Sequence, residues 1–222
     1  MALISDKIRS LKSEIAEACR NRGVGAETVG IVAVTKNVDP ELINMSIQAG
    51  ITDIGENRVQ EAGAKFGLVR PCIRHFIGHL QRNKVKETVN IFDTIDSVDS
   101  YPLAELINVE AERSLKKMLV LVQVNIAGDK AKYGLEPDEV RHFVKKILIL
   151  KYLDVQGLMA IIPYFEDPEE GRRYFKEMKV LFDALKADFA GFKRLSMGMS
   201  NDFRVAVEEG ANEVRIGSYL YK

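Results

Sequence analysis

Lys36 ends the string GIVAVTK, in which small and β-branched residues run straight into one amine and then into polar loop residues. A lysine at the end of a buried strand can be partly desolvated. Desolvation lowers its pKa and makes it a nucleophile toward carbonyls. Far along the chain, SMGMSND (196–202) and VRIGS (214–218) close two further apolar runs with Gly, Ser and Asn. Such loops hold anions through backbone N–H groups and hydroxyls. Ser200 stands at the start of a predicted helix containing Phe203 and Val207, and Gly217 leaves room for an anion to approach the backbone.

These groups matter only if a fold collects them. Apolar runs at 31–35, 53–57, 74–79, 92–98, 118–125, 155–161, 194–197 and 214–217 read as strands. An opening helix covers 3–22, with Ile4, Ile8, Leu11, Ile15 and Ala18 on one face. Further helices begin near Pro40, Arg58, Gln81, Tyr101, Pro137, Pro168 and Asp202. Eight nearly continuous apolar strands, each of the first seven followed by a helix, predict an α/β fold. The expected form is a single (β/α)8 TIM barrel over residues 1–222 with an extra N-terminal helix. No GxGxxG follows the first strand, and no P-loop occurs. Barrel chemistry gathers at the C-terminal ends of the strands. Those ends carry Lys36, Glu56 and Asn57, His79, Asp96 and Ser97, Asn125, Met159, Ser196 to Asn201, and Arg215, Gly217 and Ser218. One amine opposite an anion cradle suits a phosphorylated aldehyde held as a Schiff base, and pyridoxal 5′-phosphate (PLP) is the leading candidate.

Composition narrows the class. The chain has 222 residues, with 32 Lys+Arg balanced by 32 Asp+Glu, so bulk electrostatics argue against a nucleic-acid binder. No apolar run is long enough to span a bilayer, and the charged, helical start does not read as a targeting peptide. Cys19 and Cys72 show no metal-ligand spacing, so no metal is expected and both are read as reduced thiols. The expectation is a cytoplasmic monomer.

Taken together and in order, VAVTK, GENRVQE, HFIGHLQRNK, GLM, SMGMSND and EVRIG resemble the pyridoxal phosphate homeostasis protein family. Its members are single barrels similar to the N-terminal domain of alanine racemase, of fold-type III among PLP-binding proteins. The resemblance implies that Lys36 forms the internal aldimine, while Ser200 and the backbone at Gly217 and Ser218 hold the phosphate. It implies that Arg215 faces the pyridine nitrogen, that Asn57 and His79 line the ring face or rim, and that Met197, Met199 and Asn201 shape the pocket. No catalytic residue is assigned. The implied role is intracellular PLP homeostasis, buffering the cofactor or delivering it to apo-PLP enzymes. The alternative is a small PLP-dependent amino-acid racemase or related enzyme; a cofactor-free Schiff-base aldolase ranks last. Two features favour the first. A two-base racemase needs a second base opposite the lysine, and the chain closes just after the eighth strand without a domain to supply one. An arginine at the pyridine nitrogen does not readily give up a proton, which leaves the ring a weaker electron sink. The chain departs from the family pattern at Asp129, at Ala160 and in the Tyr221–Lys222 tail.

Plainer readings compete at several positions. Arg215 could simply pair with Glu213, and Gly217 and Ser218 could be turn residues. His75 reads as structural and His79 as either structural or pocket-lining. Glu56 could be a general base, a partner of Arg58 or a helix cap. The methionines of SMGMS suit packing, and Arg82, Lys84 and Lys86 suit a solvated helix face.

Overall fold

A computed structural model describes residues 2–129 and 131–222. Lys130, within the 129–134 loop singled out above, lies outside the described residues. In chain order the elements are α1 (Ala2–Arg22), β1 (Gly30–Val34), α2 (Pro40–Gln48), β2 (Asp53–Glu56), α3 (Val59–Lys65), β3 (Ile73–Phe76), α4 (Val85–Ile91), β4 (Thr94–Val98) and α5 (Tyr101–Arg113). Then come β5 (Met118–Val124), α6 (Val140–Ile147), β6 (Leu153–Ala160), α7 (Arg172–Asp188), β7 (Arg194–Met199), α8 (Phe203–Glu208), β8 (Glu213–Ile216) and the short α9 (Ser218–Tyr221). Among the described residues the eight strands pair in parallel, in sequence order, and β8 closes on β1. The registers Val34 to Gly55 and Ala33 to Ile216 bring the ends of β1, β2 and β8 to one edge of the barrel mouth.

Local chemistry explains most element starts. Pro40 is the first residue of α2, where its missing N–H has no helical partner to lose. Pro168 opens a 3-10 turn capped by Asp167, whose carboxylate accepts from the Glu169 N–H at 3.0 Å, and α7 begins only at Arg172. After Pro137 the chain makes a turn first, so α6 starts at Val140. Helix α1 buries Ile4, Ile8, Leu11, Ile15 and Ala18, as their spacing requires, and packs on α8 and α9. Lys7 fastens it to the chain end by donating to the Leu220 carbonyl at 3.2 Å and the Lys222 carbonyl at 2.6 Å.

Part of the barrel interior is charged. Such interiors usually hold branched apolar layers, yet His75 of β3 meets residues from both sides of this one. Its Nδ1 lies 2.8 Å from Asp96 of β4 and its Nε2 3.0 Å from Asp53 of β2. Arg194 of β7 donates to Glu213 of β8 at 2.9 Å and brings its guanidinium to 3.2 Å from the His75 ring. Asp96, expected at a strand end, instead lies in the middle of β4 with no exposure. Burial alone would lower the His75 pKa; the Asp96 charge and the hydrogen bonds to Asp53 and Asp96 reverse this and push it up to about 10. The ring is therefore a buried cation at neutral pH. His75, Asp96 and Glu213 place ligand-type atoms within 4.8 Å of one another. With Arg194 among them and both imidazole nitrogens facing carboxylates, the set is an ion-pair network already balanced by protein cations.

Candidate functional site

β1 delivers Lys36 into a turn. The Val38 N–H donates to the Thr35 carbonyl at 3.0 Å, and Asn37 takes a left-handed φ of 58°, a conformation asparagine tolerates. This turn projects Lys36 outward, so the side chain is exposed rather than partly buried as its sequence position suggested. Its amine has no hydrogen bond or ion pair among the described residues.

The turn itself is anchored by a lysine that the sequence did not single out. Lys65, the last residue of α3, donates to the Thr35 carbonyl at 2.6 Å and forms an ion pair with Glu56. Glu56 has no exposure and also accepts from the Thr35 hydroxyl at 2.5 Å, while its Oε2 has no partner among the described residues. Glu56 thus pairs neither with Arg58, which bonds Glu61 at 2.9 Å, nor caps a helix. Two lysines therefore meet the same turn in different states. Lys65 is tethered, and Lys36 is free.

Across the β8 edge stands a converging set of donors. The Ser200 hydroxyl oxygen accepts from the Gly217 N–H at 3.1 Å and the Tyr219 N–H at 3.2 Å. Ser200 lies not in a helix but in a turn ahead of α8. The turn is closed by the Asp202 N–H on the Met199 carbonyl at 3.1 Å and the Met199 N–H on the Asp202 carboxylate at 2.6 Å. Gly217 sits against β1, since a Cβ there would come 3.3 Å from Val34 Cβ. Two backbone N–H groups just past β8, the strand neighbouring β1, thus converge on the Ser200 hydroxyl oxygen. Backbone N–H groups of this kind are the donors an anion would use.

Arg215 points into the barrel with 3% exposure, donating to the Ser196 hydroxyl and the Ala160 carbonyl, each at 2.7 Å. It makes no ion pair with Glu213, which Arg194 takes instead. Desolvation pulls its pKa below the ordinary value, against the nearby charges of Glu213, Asp96 and Asp202.

Other predicted residues are distributed around the mouth. Met197 is fully buried in the hydrophobic core, while Asn201 is exposed and donates to the Phe165 carbonyl at 2.9 Å, tying the β7 turn to the loop after β6. Ser218 opens α9 beside the cradle. Asn57 is exposed where β2 ends, and the β3 end packs onto its backbone: a Cβ at Gly78 would stand 2.4 Å from the Asn57 carbonyl oxygen, so only glycine fits. His79 follows Gly78, with its Nδ1 3.9 Å from Asp99 and its ring stacked on Tyr133 at 3.6 Å between centroids. Burial raises the Asp99 pKa, with His79 opposing. Tyr133 comes from the loop after β5, which Asn125 shapes by donating to the Asp129 carbonyl at 3.1 Å and accepting from the Asp129 N–H at 3.2 Å. The stack costs little to remove. Tyr133→Ala is expected to lower unfolding free energy by about 1 kcal/mol and to shift the His79 ring resonances downfield in NMR spectra as the shielding Tyr133 ring is lost. Unchanged His79 resonances would contradict the stacked geometry.

The chain as a whole is similar to several known proteins. The family profile for the alanine racemase N-terminal domain matches residues 16–222. A curated relative from Aquifex aeolicus, named pyridoxal phosphate homeostasis protein, is 37% identical over 97% of this chain and 96% of its own. A solved structure of an unknown protein from Bifidobacterium adolescentis superposes with a TM-score of 0.93 at 33% identity, covering 99% of this chain and 95% of that one. The structure of PipY from Synechococcus elongatus with PLP bound gives a TM-score of 0.86 at 31% identity over 99% of this chain and 100% of that chain. Alanine racemase of Clostridium difficile shares the fold at a TM-score of 0.78. It is 18% identical, and the match covers 97% of this chain but 56% of that chain.

Proposed function

The chain belongs to the family of pyridoxal phosphate homeostasis proteins and carries the alanine racemase N-terminal fold, and on that footing we propose that it binds PLP and stores or delivers that cofactor. The observation that carries this reading is the free amine of Lys36 standing one strand from the Gly217 and Tyr219 N–H groups that converge on the Ser200 hydroxyl oxygen. In this reading Lys36 holds the aldehyde end as a Schiff base. Ser200 and the backbone at Gly217 and Ser218 hold the phosphate, and Arg215 faces the ring nitrogen. Asn57 and His79 border the ring, with Met197 and Asn201 shaping the walls behind it. When bound, PLP supplies an electrophilic carbon conjugated to a heteroaromatic ring.

The chain's own residues then divide the work. The pinned Thr35–Val38 turn holds the Lys36 amine at the mouth, and the donors at β7 and β8 orient the anionic end. Arg215, committed to Ser196 and Ala160, offers the ring a guanidinium that does not readily give up its proton. That favours holding the cofactor over turning amino acids over. The likeness to the solved alanine racemase is one of fold, at 18% identity and over 56% of that chain. Among the described residues no helix is long and apolar enough to cross a membrane. We place the protein in the cytoplasm as a monomer, one binding domain spanning the barrel, with apo-PLP enzymes as recipients.

The test is direct. Protein purified with PLP is expected to show a visible-edge absorbance band and, after borohydride reduction, a pyridoxyl mass on Lys36. Lys36→Ala should lose both. A pyridoxyl group mapped to Lys65 or another lysine, or no adduct at all, would overturn the assignment.

A further inference from the structure

Two of the strings that carry the family resemblance, GENRVQE and HFIGHLQRNK, contribute little to the cofactor reading beyond Asn57 and His79. They face each other across a cavity of about 300 Å³ between the ends of β2 and β3. Its floor is apolar: Phe76 and Leu80 are each 2% exposed. Its rim carries the carboxamides of Gln60 and Gln81 and the cations of Arg58 and Lys84, and among the described residues no carboxylate lines it. The nearest acidic partners leave donors available. Arg58 bonds Glu61 through Nη1 alone among the described residues, and the Lys84 amine stays 3.9 Å from Glu87.

We propose that this cavity binds a small monocarboxylate with a short hydrocarbon chain, the class that includes amino acids and 2-oxo acids. The apolar floor suits the chain and the planar guanidinium and amide donors suit a carboxylate. The volume lies at the low end for ligand pockets, which limits the occupant to a small molecule. Asn57 and His79, which border the ring in the proposed cofactor reading on which this inference rests, also line the cavity, whereas the cradle at Ser200 and Gly217 lies on the opposite side of β1. A bound carboxylate would therefore use none of the groups assigned to the phosphate.

Butyrate is the probe, with butylamine and inorganic phosphate as comparisons, titrated by NMR into cofactor-free protein. Butyrate is expected to shift the side-chain amide resonances of Gln60 and Gln81 and to bind at least tenfold more weakly to the Arg58→Ala/Lys84→Ala double variant, whose melting temperature checks folding. The Gln60 and Gln81 shifts locate the ligand independently of any variant. The inference fails if butyrate leaves those amides unmoved, if the folded double variant binds it equally well, or if phosphate or butylamine shifts the same amides at equal concentration. Failure of the cofactor reading would appear in the Lys36 adduct, and failure of this one in the butyrate titration.

Discussion

Protein carrying Lys65→Met is expected to lose about 3–5 kcal/mol of unfolding free energy, the usual cost of removing one partner from a buried ion pair. For a domain of this size that corresponds to a fall in melting temperature of roughly 10 °C or more. The cause lies in Glu56. Its carboxylate is fully buried, one oxygen is already without a partner among the described residues, and the other is held by Lys65 and the Thr35 hydroxyl. Without Lys65 a buried charge keeps a single hydroxyl as its support. The double variant Glu56→Gln/Lys65→Met removes the charge along with its partner and should recover most of the loss. A double-mutant cycle should then give a coupling of about 2 kcal/mol or more. Single-variant melting within a few degrees of wild type would show that the pair contributes little. The same substitution frees the Thr35 carbonyl of its Lys65 donor. Lys36 should accordingly react more slowly with PLP in folded Lys65→Met protein.

Stability should also fall as pH rises from 7 toward 10, and His75 is the reason. Its pKa is about 10 in the folded protein against an ordinary 6.5. Between those values the folded state binds a proton that the unfolded state has released. The His75 contribution is thus complete below pH 6.5, declines by about 1.4 kcal/mol per pH unit above it, and is gone beyond the folded value. The full span is on the order of 5 kcal/mol. Asp53 and Asp96 act at the other end. Burial would raise both, but hydrogen bonds and charge from His75 hold them below the ordinary carboxylate value. Their contribution is present above the unfolded value and is lost as pH falls through their folded values. Urea unfolding at half-unit steps from pH 6 to 9.5 checks the alkaline limb, and His75→Asn should flatten it while lowering stability at pH 7. A wild-type profile that stays level from pH 7 to 9.5 would remove the buried imidazolium from the account.

These two sites also mark where reading the chain alone stops. Apolar period and turn residues are local, and they placed every strand to within about three residues. Lys36, Gly217 and Ser218 follow their strands as expected. Other positions needed neighbours that sequence spacing does not reveal. Glu56 admits three local roles in the sequence, yet its partner is Lys65 at the far end of the next helix. Asp96 read as a strand-end group because it follows an apolar run, whereas its side chain turns inward to a histidine 21 positions earlier. Arg194 reaches the same histidine across 119 positions, and Arg215 chose Ser196 and Ala160 over the adjacent Glu213.

The order of eight strands, the helix between each pair and the amine at the first strand's end were thus determined by the sequence itself, because hydrophobic periodicity and backbone preference act over a few residues. Which charge faces which inside the barrel, and how the Lys36 turn is pinned, were decided only by closure. Burial forces every charge to find a partner, and the partner is whichever residue the far wall brings within hydrogen-bond reach.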